Sequence, residues 1–255
     1  MELIPLSKYI LLGMAALLAG FVDSIAGGGG LITLPVMLSV GIPPHLALGT
    51  NKLQSSFGSF TAASNYTRKG LVDLKGVLAG IFFTACGAAI GTVTIQRLSA
   101  GFLEQFIPIM LLVVFLYFLF SPNLGTVEKE APMPEMFFYS TTGLLLGFYD
   151  GFFGPGTGSF WMVVFVLSLG LNLKKATAHT KIMNFTSNIV ALVAFILGNN
   201  VLFIAGIVMG FCQILGAIIG SNLVLLKGVR FVRVFFLTVI ALTIMKLIYS
   251  TYIVN

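Results

Sequence analysis

The sequence predicts an all-α transmembrane protein made of two inverted repeats of about five helical segments each, and three observations predict it. Hydrophobic residues make up 58% of the 255 residues and charged residues 9%, with a mean hydropathy of +1.05. A soluble domain of this size cannot keep that much apolar side chain out of water. Apolar stretches recur at about the 20-residue length that a helix needs to cross about 30 Å of hydrocarbon, and the alternation of a membrane β-barrel is absent. Finally, one segment occurs twice: Gly20-Phe-Val-Asp-Ser-Ile-Ala-Gly-Gly-Gly-Gly30 is answered by Gly147-Phe-Tyr-Asp-Gly-Phe-Phe-Gly-Pro-Gly156, 127 residues later.

Taken in order, residues 5–25 read as a helix that runs into the glycines. A short helix follows over about 31–40, stopped by Gly41-Ile-Pro-Pro44. Pro44 suits a first helical position and opens a third helix, which runs to Arg68. Two more segments are expected over 73–96 and 100–120. Residues 121–135, with three prolines and Glu128-Lys129-Glu130, form a polar linker between repeat one (1–120) and repeat two (136–255). The second repeat is expected as helices over 136–153, 158–170, 172–198, 201–226 and 229–253. Residues 3–19 have the look of a signal peptide, but the same element recurs in mid-chain, so the N-terminus is kept as part of the fold.

Farther along, Lys52 answers to Lys181, Gly87 to Gly216 and Gly91 to Gly220, with the offset grown to 129. A repeat that crosses an odd number of times must be inverted relative to its copy. Charge agrees. With Arg68, Lys69 and Lys75 inside, the linker, Lys174, Lys175, Lys227, Arg230 and Arg233 also fall inside, leaving Lys8, Arg97 and the Asn199-Asn200 turn opposite. The C-terminus is then expected outside the cytoplasm.

Of eight acidic residues, only Asp23 and Asp150 lie in apolar segments, at matching positions; Lys52 and Lys181 are their basic counterparts. Each lysine stands about eight residues, or about 12 Å, into its helix. A charge at that depth costs about 2.5–3.5 kcal/mol on insertion scales, so it must be paired, solvated or functional. Asn51, Ser55, Ser56 and Ser59 accompany Lys52 at helical spacing, and Thr180, Asn184 and Asn188 accompany Lys181. Such stripes glue helices together in some membrane proteins and bind anions in others. The glycines favour the second use, because a helix broken at depth exposes backbone N–H groups, and backbone of that kind survives only beside a cavity. Gly29, Gly30, Gly156 and Gly158 therefore join Lys52, Lys181, Asn51, Ser55, Thr180 and Asn184 as candidate substrate-binding residues. Asp23, Asp150 and His179 are candidate proton carriers, with helix capping and lysine pairing the competing role for the two aspartates.

Other features read as structure. Cys86 and Cys212 have no metal-ligand spacing, and neither a metal nor a cofactor is expected. Trp161 packs, Arg97 and Lys246 snorkel, and Gly76/Gly80, Gly87/Gly91, Gly206/Gly210 and Gly216/Gly220 are close-packing pairs on the two fourth helices. The net charge of +6 sits in short loops, where it sets orientation rather than binding nucleic acid. Neither glycine block fits a phosphate loop or a dinucleotide fingerprint, and no His-Glu-x-x-His or Gly-x-Ser-x-Gly occurs, so an enzyme is not expected.

The duplicated glycine block, continuing into Leu31-Ile-Thr-Leu-Pro35, together with Gly49-Thr-Asn-Lys52 and Ala178-His-Thr-Lys181, resembles the TauE/SafE sulfite exporter family over essentially the whole chain. That resemblance implies a multi-pass permease of the bacterial inner membrane for sulfur-containing anions such as sulfite, sulfoacetate or other sulfonates, working as an exporter. It carries Asp23, Gly27, Gly29, Lys52, Asp150, Gly154, Gly156 and Lys181 as motif positions. Pro155 and Thr157 replace Gly28 and Gly30 in the second copy, so the two half-sites are expected to differ. The combined expectation is a secondary transporter working by alternating access and open to proton coupling, with the lipid bilayer and a small organosulfur anion as partners; a homodimer is compatible with the sequence. The alternatives are an anion channel, a permease for another small anion, and a subunit without transport.

Overall fold

A computed structural model describes residues 5–120 and 130–227, and every regular element in them is helical. The first repeat contains α1 (Leu6–Ala26), α2 (Gly30–Ser39), α3 (Pro44–Arg68), α4 (Leu78–Gln96) and α5 (Ala100–Phe120). The second contains α6 (Glu135–Phe138), a π-helical turn (Tyr139–Gly143), α7 (Leu144–Phe152), α8 (Thr157–Ser168), α9 (Leu173–Leu197) and α10 (Phe203–Lys227). The helix expected over 229–253, with Arg230, Arg233 and Lys246, and residues 121–129 of the linker lie outside the described residues.

Five of these helices, α1, α4, α5, α9 and α10, are long and apolar enough to cross a membrane. α3 has the length but carries too many polar side chains, and α2 and α8 are only 10 and 12 residues long. Burial runs opposite to that of a soluble protein. Lys52, Gln54, Ser59, Lys181 and Ser187 are buried, while Ile10, Phe82, Ile90, Leu145, Ile204 and Phe211 are exposed. That arrangement suits a hydrocarbon solvent, which rewards apolar exposure and excludes charge.

Local sequence explains most of the breaks. α1 stops because Gly27 and Gly28 take φ of +69° and +132°, and α8 starts after Gly156 at +87°; both regions favour glycine. Pro43 caps α3 in an extended conformation and Pro44 sits in its first turn. α4 begins at Leu78 rather than near 73, because Asp73 Oδ1 accepts the Lys75 N–H at 3.0 Å and holds a turn there. Gly76 consequently precedes α4, so Gly76/Gly80 is not a pair on one helix. The π-helical turn, which the sequence did not lead one to expect, coincides with hydroxyls bonding back to the helix: Ser140 and Thr141 both donate to the Phe137 carbonyl, at 3.0 and 2.8 Å.

α3 and α9 pack against each other at the centre. The fourth helix of each repeat leaves its own first helix and packs on that of the other: α10 lies on α1 and α3, and α4 lies on α7 and α9. The contacts correspond residue by residue. Gly216 faces the backbone of Leu17 and Phe21, while Gly87 faces that of Leu144 and Phe148, their counterparts at the 127-residue offset. Gly20 abuts Gln213 as Gly147 abuts Thr84. The crossings of one half are in this way copied in the other.

A side chain at these crossings has nowhere to go. Gly216→Leu is expected to destabilise the protein by about 1–3 kcal/mol or more, because its Cβ meets backbone rather than a movable side chain. Gly101→Leu, where nothing lies within 4 Å, is expected to melt with the wild type in a detergent thermal-unfolding assay.

Candidate functional site

The two central helices bring their lysines to the two helix breaks, each to the break of the opposite repeat. Lys52 Nζ on α3 reaches Asp150 at the end of α7, 2.6 Å from Oδ1 and 2.5 Å from its main-chain oxygen. Lys181 Nζ on α9 reaches Asp23 Oδ2 near the end of α1 at 3.3 Å. Both lysine side chains are at most 2% exposed. An unpaired ammonium in that setting is costly enough that the carboxylate is part of what lets each lysine be there at all.

The carboxylates are held in different ways, and Pro155 is the reason. Asp23 Oδ1 accepts the N–H groups of Gly28 and Gly29, at 3.0 and 3.3 Å, capping its own helix break. The counterpart of Gly28 is Pro155, which has no N–H to give. Asp150 is held instead by the Ser187 hydroxyl of α9, which donates to Oδ2. Position 58, the counterpart of Ser187, is a glycine, and Gln213 of α10 fills the space beside it. The two carboxylates are therefore held unequally, and the Pro155 replacement accounts for the difference. Asp150 is tied to two neighbouring helices, while Asp23, whose side chain is 14% exposed against 5% for Asp150, is tied mainly to its own loop.

The breaks meet at bare backbone. A methyl on Gly27 would overlap Gly158, and the Ser159 hydroxyl donates to the Gly27 carbonyl at 3.1 Å. Around that crossing lies a cavity of about 20 Å³ lined by Asp23, Gly28, Gly30, Asn51, Lys52, Ser55, Asp150, Gly154, Gly156, Thr157, Gly158, Asn184 and Asn188. It has room for about one water molecule.

Most of the residues singled out in the sequence thus meet at one point. Gly29 contributes its N–H to Asp23 and does not line the cavity, and Lys181 meets it through Asp23. Thr180 is fully buried beside Lys181, and its Oγ1, like Asn184 Oδ1, finds no hydrogen-bond partner among the described residues. His179 lies elsewhere. Its ring faces Phe165, with centroids 5.6 Å apart, and Nδ1 bonds the Lys175 carbonyl at 2.8 Å. Ser56 and Ser59 donate to carbonyls of their own helix, at 2.8 and 2.7 Å, and Trp161 stacks on Phe165. Ser187, Thr33 and Gln54 are additions that the sequence pattern did not single out. Ser187 and Gln54 each stand three residues past a residue already in a stripe, so extending the helical periodicity by one step finds them; Thr33 carries no such signal.

A helical membrane protein with paired charges at two helix breaks is the architecture of a transporter, in which broken helices meet at a central site. The family comparison agrees. Residues 12–247 match the family model described as Sulfite exporter TauE/SafE. The chain is 46% identical over 220 residues to a probable membrane transporter protein, ORF9, of Sinorhizobium sp, covering 86% of this chain and 84% of that protein. It is 44% identical over 246 residues to the probable membrane transporter protein YfcA of Escherichia coli K12, covering 95% and 91%. A Haemophilus influenzae probable membrane transporter protein is 44% identical over 215 residues, covering 84% of each. No solved structure matches the chain. The chain belongs to the TauE/SafE family and is a multi-pass membrane transporter of the bacterial inner membrane.

Removing one partner of a buried ion pair strands the other, at a cost of about 3–5 kcal/mol. Lys52→Met and Asp150→Leu are each expected to lower the melting temperature sharply, and the double variant to recover most of the loss. A double-mutant cycle on the purified protein measures that coupling directly.

Proposed function

We propose that this protein is a secondary transporter that exports sulfite, sulfoacetate or a related organosulfur anion by alternating access, with the two inverted repeats moving around the cavity between α3 and α9. The observation that carries this reading is the pair of buried lysines, each neutralised by a carboxylate on the opposite helix break. A lysine held by a carboxylate is a lysine poised to exchange it for another anion.

Charge arithmetic gives the rest. Two lysines and two aspartates sum to zero, so an arriving monovalent anion leaves the site one unit negative, and a divalent one two units, in a low-dielectric setting. A proton taken by the displaced aspartate offsets one of those negative units, which links anion binding to protonation. Asp23 is the better placed carrier, because its pair with Lys181 is the longer and its carboxylate the more exposed. With a divalent anion and one proton, one negative charge leaves per cycle. An inside-negative potential favours that exit by about 2.3 kcal/mol per 100 mV. The small size of the cavity favours this reading over an open channel, and the sulfite named in the family description supports a sulfur-containing anion as the cargo.

In liposomes, the purified protein is expected to move sulfite or sulfoacetate with saturable kinetics, and Lys52→Ala and Lys181→Ala are each expected to reduce flux to background. Asp23→Asn is expected to make any residual flux insensitive to an imposed pH gradient. Wild-type flux in both lysine variants would remove the anion site from this cavity, and flux that never saturates would make the protein a channel.

A further inference from the structure

One buried network beside the cavity belongs to the first repeat alone. Asn51 Oδ1 accepts two hydrogen bonds, from the Thr33 hydroxyl of α2 and from Gln54 Nε2 of α3, both at 2.8 Å. Gln54 Nε2 also donates to Thr33 Oγ1 at 2.8 Å, which closes a triangle. Thr33 and Gln54 are fully buried and Asn51 is 4% exposed. In the second repeat, the matching positions of Thr33, Asn51 and Gln54 hold Phe160, Thr180 and Met183, so no such triangle can form there.

The triangle has a direction. An amide side chain has one acceptor end and one donor end. With both incoming bonds on Oδ1, the Nδ2 end of Asn51 is turned the other way, toward Gly30, whose side-chain direction points to within 3.4 Å of it, and toward the cavity that Asn51 and Gly30 both line. Fixing the amide in advance spares an incoming anion the cost of orienting it.

We infer that Gln54 and Thr33 are positioning residues that lock the Asn51 amide as a hydrogen-bond donor to the oxyanion group of the substrate, which makes this half of the site select for anions with a directional oxygen acceptor. The inference rests on the transporter reading above and goes beyond it by assigning specificity to residues that do not touch the substrate. An ammonium attracts any anion of the right size, but an oriented N–H favours an oxygen lone pair over a spherical halide.

The test uses the full-length protein, with sulfite, sulfoacetate and chloride as probes in thermal-shift and liposome flux assays. Gln54→Glu keeps the shape but offers only acceptors, so Asn51 must turn its Nδ2 to the introduced carboxylate and present Oδ1 to the cavity. Stabilisation by sulfite and sulfoacetate is expected to vanish. Because a new buried charge can prevent folding, Gln54→Met, which copies the residue at position 183, and Thr33→Val provide neutral versions. Each is expected to raise the half-saturating oxyanion concentration about tenfold while retaining the maximal rate and narrowing the preference over chloride. If the wild type responds to sulfite or sulfoacetate and the neutral variants bind it as tightly, or lose maximal rate at unchanged affinity, the positioning role is overturned and the transporter reading stands. A wild type that neither binds nor moves either anion overturns both.

Discussion

The buried charge pairs constrain everything else in this molecule. Lysine buried at the centre of such a bundle is tolerated only with a partner, and each partner here comes from the other half of the chain. For a carboxylate to arrive there, a helix must end inside the bundle, and for a helix to end there, its loose backbone must be satisfied locally. Glycine provides the turn, Asp23 provides the acceptor, and the Tyr66 hydroxyl, donating to the Ser24 carbonyl at 2.8 Å, fastens the end of α1 to α3. Charge burial, helix breakage and central placement of α3 and α9 are one requirement seen from three sides.

The exchange of fourth helices serves the same requirement. If each repeat packed on itself, the two halves would be joined mainly through α3 and α9, and the ion pairs would have to hold the interface. Instead α10 grips α1 and α4 grips α7 through glycine-on-backbone contacts, so close packing shares the interface with the ion pairs.

Much of this was legible in the sequence, because it follows from composition and from duplication. Helix ends came within a few residues wherever Gly or Pro marked them, as at Gly27 and Pro44, and missed where a side chain made the turn, as with Asp73 before α4. The four charges could be singled out because charge in apolar sequence is conspicuous, but which lysine meets which aspartate depends on how the repeats cross, a long-range fact that no local pattern encodes. The π-helical turn and the Thr33–Gln54–Asn51 triangle escaped for a related reason: hydroxyls and amides are common in such helices, and only packing decides which of them bond to one another. His179 shows the converse, since its closeness in sequence to Lys181 suggested a shared role, yet the helix turns its ring to Phe165.

The replacement of Gly28 by Pro155 has a mechanical meaning. Two springs of unequal stiffness share an imposed displacement unequally, and the softer one takes most of it. Asp150, braced by Ser187 and by two contacts from Lys52, is the stiff element. Asp23, suspended from two N–H groups of its own loop, is the compliant one. A deformation applied at the centre would therefore fall mainly on the first glycine block, so the two copies of one motif are mechanically unequal.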